Sequence, residues 1–234
     1  MRTPTPPPAP EAPAAAAGHR MILASSSPSR RLVLRRAGVD PEVIAPEVDE
    51  DAVRDRLGAA APAEVVRALA AAKSAAVRER LDGTPRAGVD VIIACDSMLL
   101  LDGALSGKPH TAAECARRWR AQAGRAAELL TGHAVTVLRD GAVLGEHAET
   151  VATTVRFGTP AESDIAAYAA TGEPLGCAGA FTLEALGGWF IDGVDGDPAS
   201  VLGLSLPLLR RILAGHGLGV APFWNLTGPS GAAG

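Results

Sequence analysis

Residues 21–38 read MILASSSPSRRLVLRRAG: an apolar run, three serines and a proline, then a doubly basic, leucine-rich segment. Met21 to Ala24 has the apolar density of a short buried strand. Ser27 and Pro28 supply an N-cap and a first-turn signal for a helix through Ala37, and Gly38 stops it. The turn between strand and helix admits two readings. It is a capped helix with solvated arginines, or it is a site for an anion. Ser25, Ser26 and Ser27 offer hydroxyls and backbone N–H groups at a helix N-terminus, where the dipole places roughly half a positive charge. Arg30 and Arg31 stand in the first helical turn, where cations are unfavourable unless something anionic offsets them.

Working outward, PEVIAP (41–46) is a second short strand, and the acidic EVDEDAVRD (47–55) precedes PAEVVRALAAAKSAAVRERL (62–81), a helix that contains Lys73. The β-branched run Val89 to Ala94 predicts a strand with Asp96 at its C-terminal end, followed by ALSGKP (104–109) and a helix from Thr111 to Ala123. Residues 134–157 read as a hairpin about Asp140 and Gly141, and Thr159 or Pro160 opens a helix toward Tyr168. GEPLGCAGAF (172–181) is a glycine-rich loop, residues 187–197 hold a short strand, and LSLPLLRRILAGHG (204–217) is an amphipathic helix. Strands alternating with helices around a central hairpin predict an α/β fold on a mixed twisted sheet.

The 234 residues, 47% hydrophobic, suit one domain. The Pro/Ala-rich residues 1–19 are expected to be a disordered extension, residues 20–224 the domain, and residues 225–234 a flexible tail. Lys and Arg number 22 against 26 Asp and Glu, a net charge of −4, so no global basic field exists to hold polymeric nucleic acid. The apolar stretch Val89 to Leu101 is interrupted by Asp90 and Asp96 and falls short of the ~20 residues that span a membrane. Three cysteines with no C-x-x-C pair fit a reducing, cytoplasmic location.

Several chemistries drop out. SGKP lacks the spacing and hydroxyl residue of a Walker loop, and neither G-x-S-x-G nor H-E-x-x-H occurs. The five histidines read as surface or core residues. Glu47, Asp49, Glu50 and Asp51 form a solvated acidic loop or supply oxygens suited to Mg²⁺ or Mn²⁺, and Asp96 is either a turn cap or a catalytic carboxylate.

Taken in order, ILASSSPSRRLVLRRAGV, VDED, LAAAKSAAV, IIACDSMLLLDGALSGKP, YAATGEPLGCAGAF and VDGDPASVLGLSLPLL resemble the Maf family of nucleoside triphosphate pyrophosphatases over about Met21 to Leu213. The resemblance implies a two-lobed, ITPase-like mixed sheet around a cleft. Such proteins are commonly dimeric and cut a nucleotide between its α and β phosphates. It implies Asp96 as general base, with Glu50 beside it, the two holding a divalent cation, Mg²⁺ or Mn²⁺. Ser25, Ser27, Arg30, Arg31, Lys73 and Lys108 would hold the phosphates of a nucleoside triphosphate. Ser29, Ser97 and Glu184 align with positions that track base choice, and the acceptor-only Glu184 leans toward a modified purine. Cys177 stands where the family carries Lys, and Phe181 where it carries Tyr. The rival implied by Cys177 is a non-catalytic nucleotide-binding regulator of cell division. A second rival is an enzyme that cuts another phosphate ester.

Overall fold

The computed structural model of the chain describes residues 18–82 and 86–225. The expected extension lies outside them except for Gly18 and His19, and the expected tail except for Asn225. His19 differs from the expectation, because it opens the first strand. The elements run β1 (His19–Leu23), α1 (Pro28–Arg36), β2 (Glu42–Val43), α2 (Glu50–Leu57), α3 (Pro62–Leu81), β3 (Val89–Leu101), β4 (Ala104–Ser106), α4 (Ala112–Gln122), β5 (Ala126–Arg139) and β6 (Ala142–Phe157). There follow α5 (Glu162–Ala170), 3-10 turns at Glu173–Gly176, Ala178–Ala180 and Leu186–Phe190, β7 (Ile191–Asp195), α6 (Pro198–Val201), α7 (Leu206–Gly215) and a last 3-10 turn, Ala221–Phe223.

Among the described residues, seven strands make one mixed sheet in the order β2-β1-β3-β5-β6-β7, with β4 folded back on β3. The β2-β1-β3 trio is parallel and the other pairings are antiparallel. The β5–β6 turn falls where expected: Asp140 and Gly141 both have positive φ, 52° and 82°, the requirement of a type I′ hairpin turn.

The chain leaves β1 through α1 to reach β2 on one side, then returns through α2 and α3 to β3 on the other. The two crossovers therefore cover opposite faces. On one face Val33 and Leu34 of α1 pack with Met21, Leu23, Val91 and Ile93. On the other, Ala70 and Val77 of α3 pack with Ile22, Ala24, Ile92 and Ala94. The end of β1 is thus a topological switch point, the place in an open parallel sheet where a crevice forms between diverging connections.

The long strands β3, β5 and β6 run on into a second lobe, whose core centres on the fully buried Trp119 of α4. Phe157, Tyr168 and Phe190 meet its ring edge-on at 5.5, 5.8 and 5.7 Å, and its Nε1 donates to the Ala180 carbonyl at 2.7 Å. This cluster anchors the glycine-rich segment. An apolar cavity of about 340 Å³ between α1, α7 and Trp224 is lined by none of the expected site residues.

Candidate active site

Asp96 does not end its strand. It is the eighth of the thirteen residues of β3, a correction to the sequence expectation. Pairing with β1 stops at Leu23 opposite Ile93, so Asp96 lies on a stretch of β3 whose parallel neighbour has already ended. β1 is too short to pair with the residue that carries the carboxylate. A single-strand reading cannot detect that.

The pleat puts Ile92, Ala94, Asp96 and Met98 on the face covered by α3. The buried stripe of α3 consists of Val66, Leu69, Ala70, Lys73, Ser74 and Val77. Lys73 therefore interrupts an apolar stripe, and its ammonium meets the one carboxylate opposite, donating to Asp96 Oδ1 at 2.6 Å. Gly132, paired with Asp96 in register, lets α3 come this close. A Cβ there would lie 2.1 Å from the Val66 carbonyl oxygen, so any side chain pushes α3 and Lys73 outward.

Glu50 is not in a loop. Asp49 caps α2 by accepting from the Ala52 N–H at 2.9 Å, and Glu50 opens that helix. Its Oε1 lies 2.9 Å from Lys73 Nζ. The two carboxylates expected to share a metal ion thus share an ammonium. Burial alone would raise the Glu50 carboxyl, but the bond and charge of Lys73, with Arg54 and Lys108 further off, outweigh it and hold the group below its ordinary range. Among the described residues no three His, Cys, Asp or Glu side chains converge on a metal position.

Two carboxylates still fit a hard cation. Asp96 is 7% exposed, and its Oδ2 is buried with no hydrogen-bond partner among the described residues, while its Oδ1 shares Lys73 with Glu50. Mg²⁺ is ordinarily held by one or two carboxylates, with water and substrate phosphate oxygens completing its shell.

The serine turn is built differently from a bare phosphate cradle. Ser27 caps α1, as expected, but Ser25 is turned inward, 5% exposed, and its Oγ accepts from the Ser27 N–H at 3.2 Å and from Arg30 Nη1 at 3.0 Å. Arg30 also donates to the Gly203 carbonyl at 3.0 Å and to Ser97 Oγ at 3.2 Å. Those acceptors explain a cation in the first turn of a helix. Gly203 has φ of 100°, which favours glycine, and a Cβ on it would stand 3.0 Å from Arg30 Nε and press on that side chain. Arg31 is exposed and points elsewhere, 3.8 Å from Asp40, which Arg35 also holds.

The three base-related positions separate into two places. Ser29 donates to Glu184 at 2.8 Å, tying α1 to the second lobe. Ser97 lies on the other face of β3 from Asp96 and belongs with Arg30 and Thr131, whose Oγ1 is 3.0 Å away. The loop carrying Glu184 is fixed by Glu173, which accepts from Thr182 Oγ1 and, at 3.2 Å, from the Gly187 N–H. Cys177 is half-buried, and burial raises its thiol, so it supplies no charge at the position where Lys was expected. Lys108 is exposed on the loop after β4.

Residue-by-residue sequence reading missed Gly132, Thr131 and Gly203. A glycine inside a β-branched run is itself a sign of close backbone approach, so Gly132 could have been found. His133 is a core residue: its Nδ1 donates to the Thr131 carbonyl at 2.9 Å and its Nε2 accepts from the Ser205 N–H at 2.8 Å. The bond accepted at Nε2 needs the neutral ring, and burial, with the Arg30 charge, pushes the imidazole down to about 4 against the pull of the Thr131 carbonyl. Its folded pKa lies below its unfolded one, so its contribution to stability is complete above about pH 6.5 and is lost as the pH falls toward 4, in all about 3 kcal/mol. Urea unfolding across that window should show the loss, and His133→Gln should flatten it. An unchanged slope in the variant would refute the assignment.

A family model described as Maf-like protein matches residues 20–216. Curated relatives named nucleoside triphosphate pyrophosphatase align along nearly their whole length. The one from Corynebacterium aurimucosum is 56% identical over 205 residues, 88% of this chain and 98% of the relative. That from Mycobacterium sp. (strain JLS) is 56% identical over 207 residues, with the same coverage. That from Nocardia farcinica is 55% identical over 207 residues, covering 88% of this chain and 96% of the relative. The crevice at the end of β1, with the Ser-turn, Lys73, Asp96 and Lys108 segments around it, lies within the matched span, and the chain belongs to the Maf family.

Proposed function

We propose that this protein is a metal-dependent nucleoside triphosphate pyrophosphatase that releases pyrophosphate and a nucleoside monophosphate, with non-canonical or modified nucleotides as its substrates in a house-cleaning role. The observation that carries the reading is the buried Asp96 carboxylate. One of its oxygens is held by Lys73 at 2.6 Å and the other is buried with no hydrogen-bond partner among the described residues. The names of relatives at 54–56% identity support the same reaction.

A triphosphate brings close to four negative charges into a site whose own carboxylates repel it. Arg30, locked by three acceptors, is a rigid donor fork at the serine turn, and Lys108 brings an ammonium from the second lobe. Asp96 Oδ2 would take a proton from the attacking water, while Lys73 fixes the orientation of the carboxylate. Glu50 and Asp96 would hold Mg²⁺ or Mn²⁺, which when bound supplies charge stabilisation at the α–β phosphoanhydride. The Ser29–Glu184 pair would read the base. Glu184 offers acceptors only, which suits the N–H donors of a guanine-like edge.

The test is pyrophosphate release across a panel of canonical and modified nucleotides with Mg²⁺ or Mn²⁺. Turnover of triphosphates with none of monoesters is expected. Thermal stabilisation by nucleotides without release would make the protein a nucleotide-binding regulator instead, and turnover of monoesters alone would make it a phosphatase of another class. No described helix is long and apolar enough to cross a membrane.

A further inference from the structure

We infer that Arg118 of α4 is a positioning residue for Lys108, clamping the backbone of the loop that presents it, with Glu114 fixing Arg118 for that task. The inference rests on the reading of Lys108 as a ligand of the triphosphate.

Lys108 is exposed, and among the described residues its ammonium has no hydrogen-bond or ion-pair partner, although its charge acts on Glu50. A long, solvated side chain on an unsupported loop would place that charge loosely. Preorganised electrostatics require the opposite, a charge already aimed before substrate arrives. The loop from Gly107 to His110 is pinned at both ends. The Gly107 carbonyl accepts from Arg118 Nη1 at 2.6 Å and from the Gly179 N–H at 3.3 Å. The His110 N–H donates to the Leu175 carbonyl at 3.2 Å, and Pro109 between them is buried. His110 sits at φ of 60°, a left-handed conformation that a non-glycine residue keeps only where its surroundings impose it.

The clamp is charge-assisted and has its own support. Arg118 Nε donates to Glu114 Oε1 at 2.7 Å one helical turn away. Arg117 and Arg118 together hold the Glu114 carboxyl down at about 2. The neighbours differ in what they do. The Arg117 side chain is 68% exposed and, among the described residues, pairs with Glu114 alone, whereas that of Arg118 is 17% exposed and reaches past the carboxylate to the backbone beside Lys108.

Steady-state kinetics on whichever triphosphate the panel shows to be turned over fastest separate this role from a structural one. Arg118→Met is expected to raise KM about tenfold, as loss of one charge-assisted bond implies, with kcat changed far less. In a Lys108→Met background the same substitution should change KM by less than about threefold, because the group being positioned is gone. Arg118→Lys, which keeps a donor, should recover most of the affinity, and Arg117→Met should leave KM unchanged. An Arg118→Met effect of equal size with and without Lys108, or no effect where Lys108→Met has one, overturns the inference. A Lys108→Met variant that works like the wild type overturns the reading of Lys108 itself, and the inference with it.

Discussion

Asp96→Asn is expected to fold normally and to lose about 10²–10⁴-fold in kcat, the range for removing a general base. Asparagine keeps the size of the side chain and can keep an acceptor toward Lys73, which retains Glu50 at 2.9 Å as a second partner. The amide places a donor where Oδ2 had an open lone pair. A water brought to it with the substrate then meets N–H instead of a proton acceptor. The effect should fall on kcat, with KM for the triphosphate little changed or lowered, since one negative charge near the phosphates has gone. Pyrophosphate release measured beside a melting curve checks both halves. An asparagine variant as fast as the wild type would leave the proposed chemistry without its base.

The elements set by short-range signals were legible because local rules and the tertiary structure agree there. The β1 run, the Ser27 cap, Pro28 in the first turn and the Asp140–Gly141 hairpin are all decided within a few residues. The length of β3 was not. Asp96 looks like a strand terminator because charge breaks an apolar run, yet antiparallel β5 continues to pair it, through Gly132. Lys73 was seen as a helical residue, but its position on the buried stripe with Val66, Leu69 and Ala70 was the sharper signal, since lysine is almost never buried unless paired. Arg30 and Arg31 cannot be told apart from composition. They stand about 100° apart around α1, so one faces Ser97 and Gly203 while the other faces Asp40. Arg30 is also held by the Gly203 carbonyl, 173 positions away in the chain, a contact that no local pattern carries.

Lys73→Met should be the most destabilising single change at the site. Methionine matches the length and keeps the packing of the aliphatic stem on α3, but it removes the one cation that, among the described residues, bridges Asp96 and Glu50. Asp96 then sits buried with neither oxygen paired and a second carboxylate close by. Breaking a buried pair from one side costs about 3–5 kcal/mol, because the remaining charge stays desolvated. For a chain of this size that corresponds to a fall in Tm of roughly 6–20 °C. Two companion measurements identify the cause as charge. Glu50→Gln added to Lys73→Met removes the second carboxylate and should raise Tm again, whereas a packing defect would be indifferent to it. Millimolar Mg²⁺ should raise the Tm of Lys73→Met more than that of the wild type, since in the wild type the ammonium competes with any cation for the same oxygens. Equal shifts in the two proteins would mean that the cation is held elsewhere, and that Glu50 and Asp96 serve Lys73 alone.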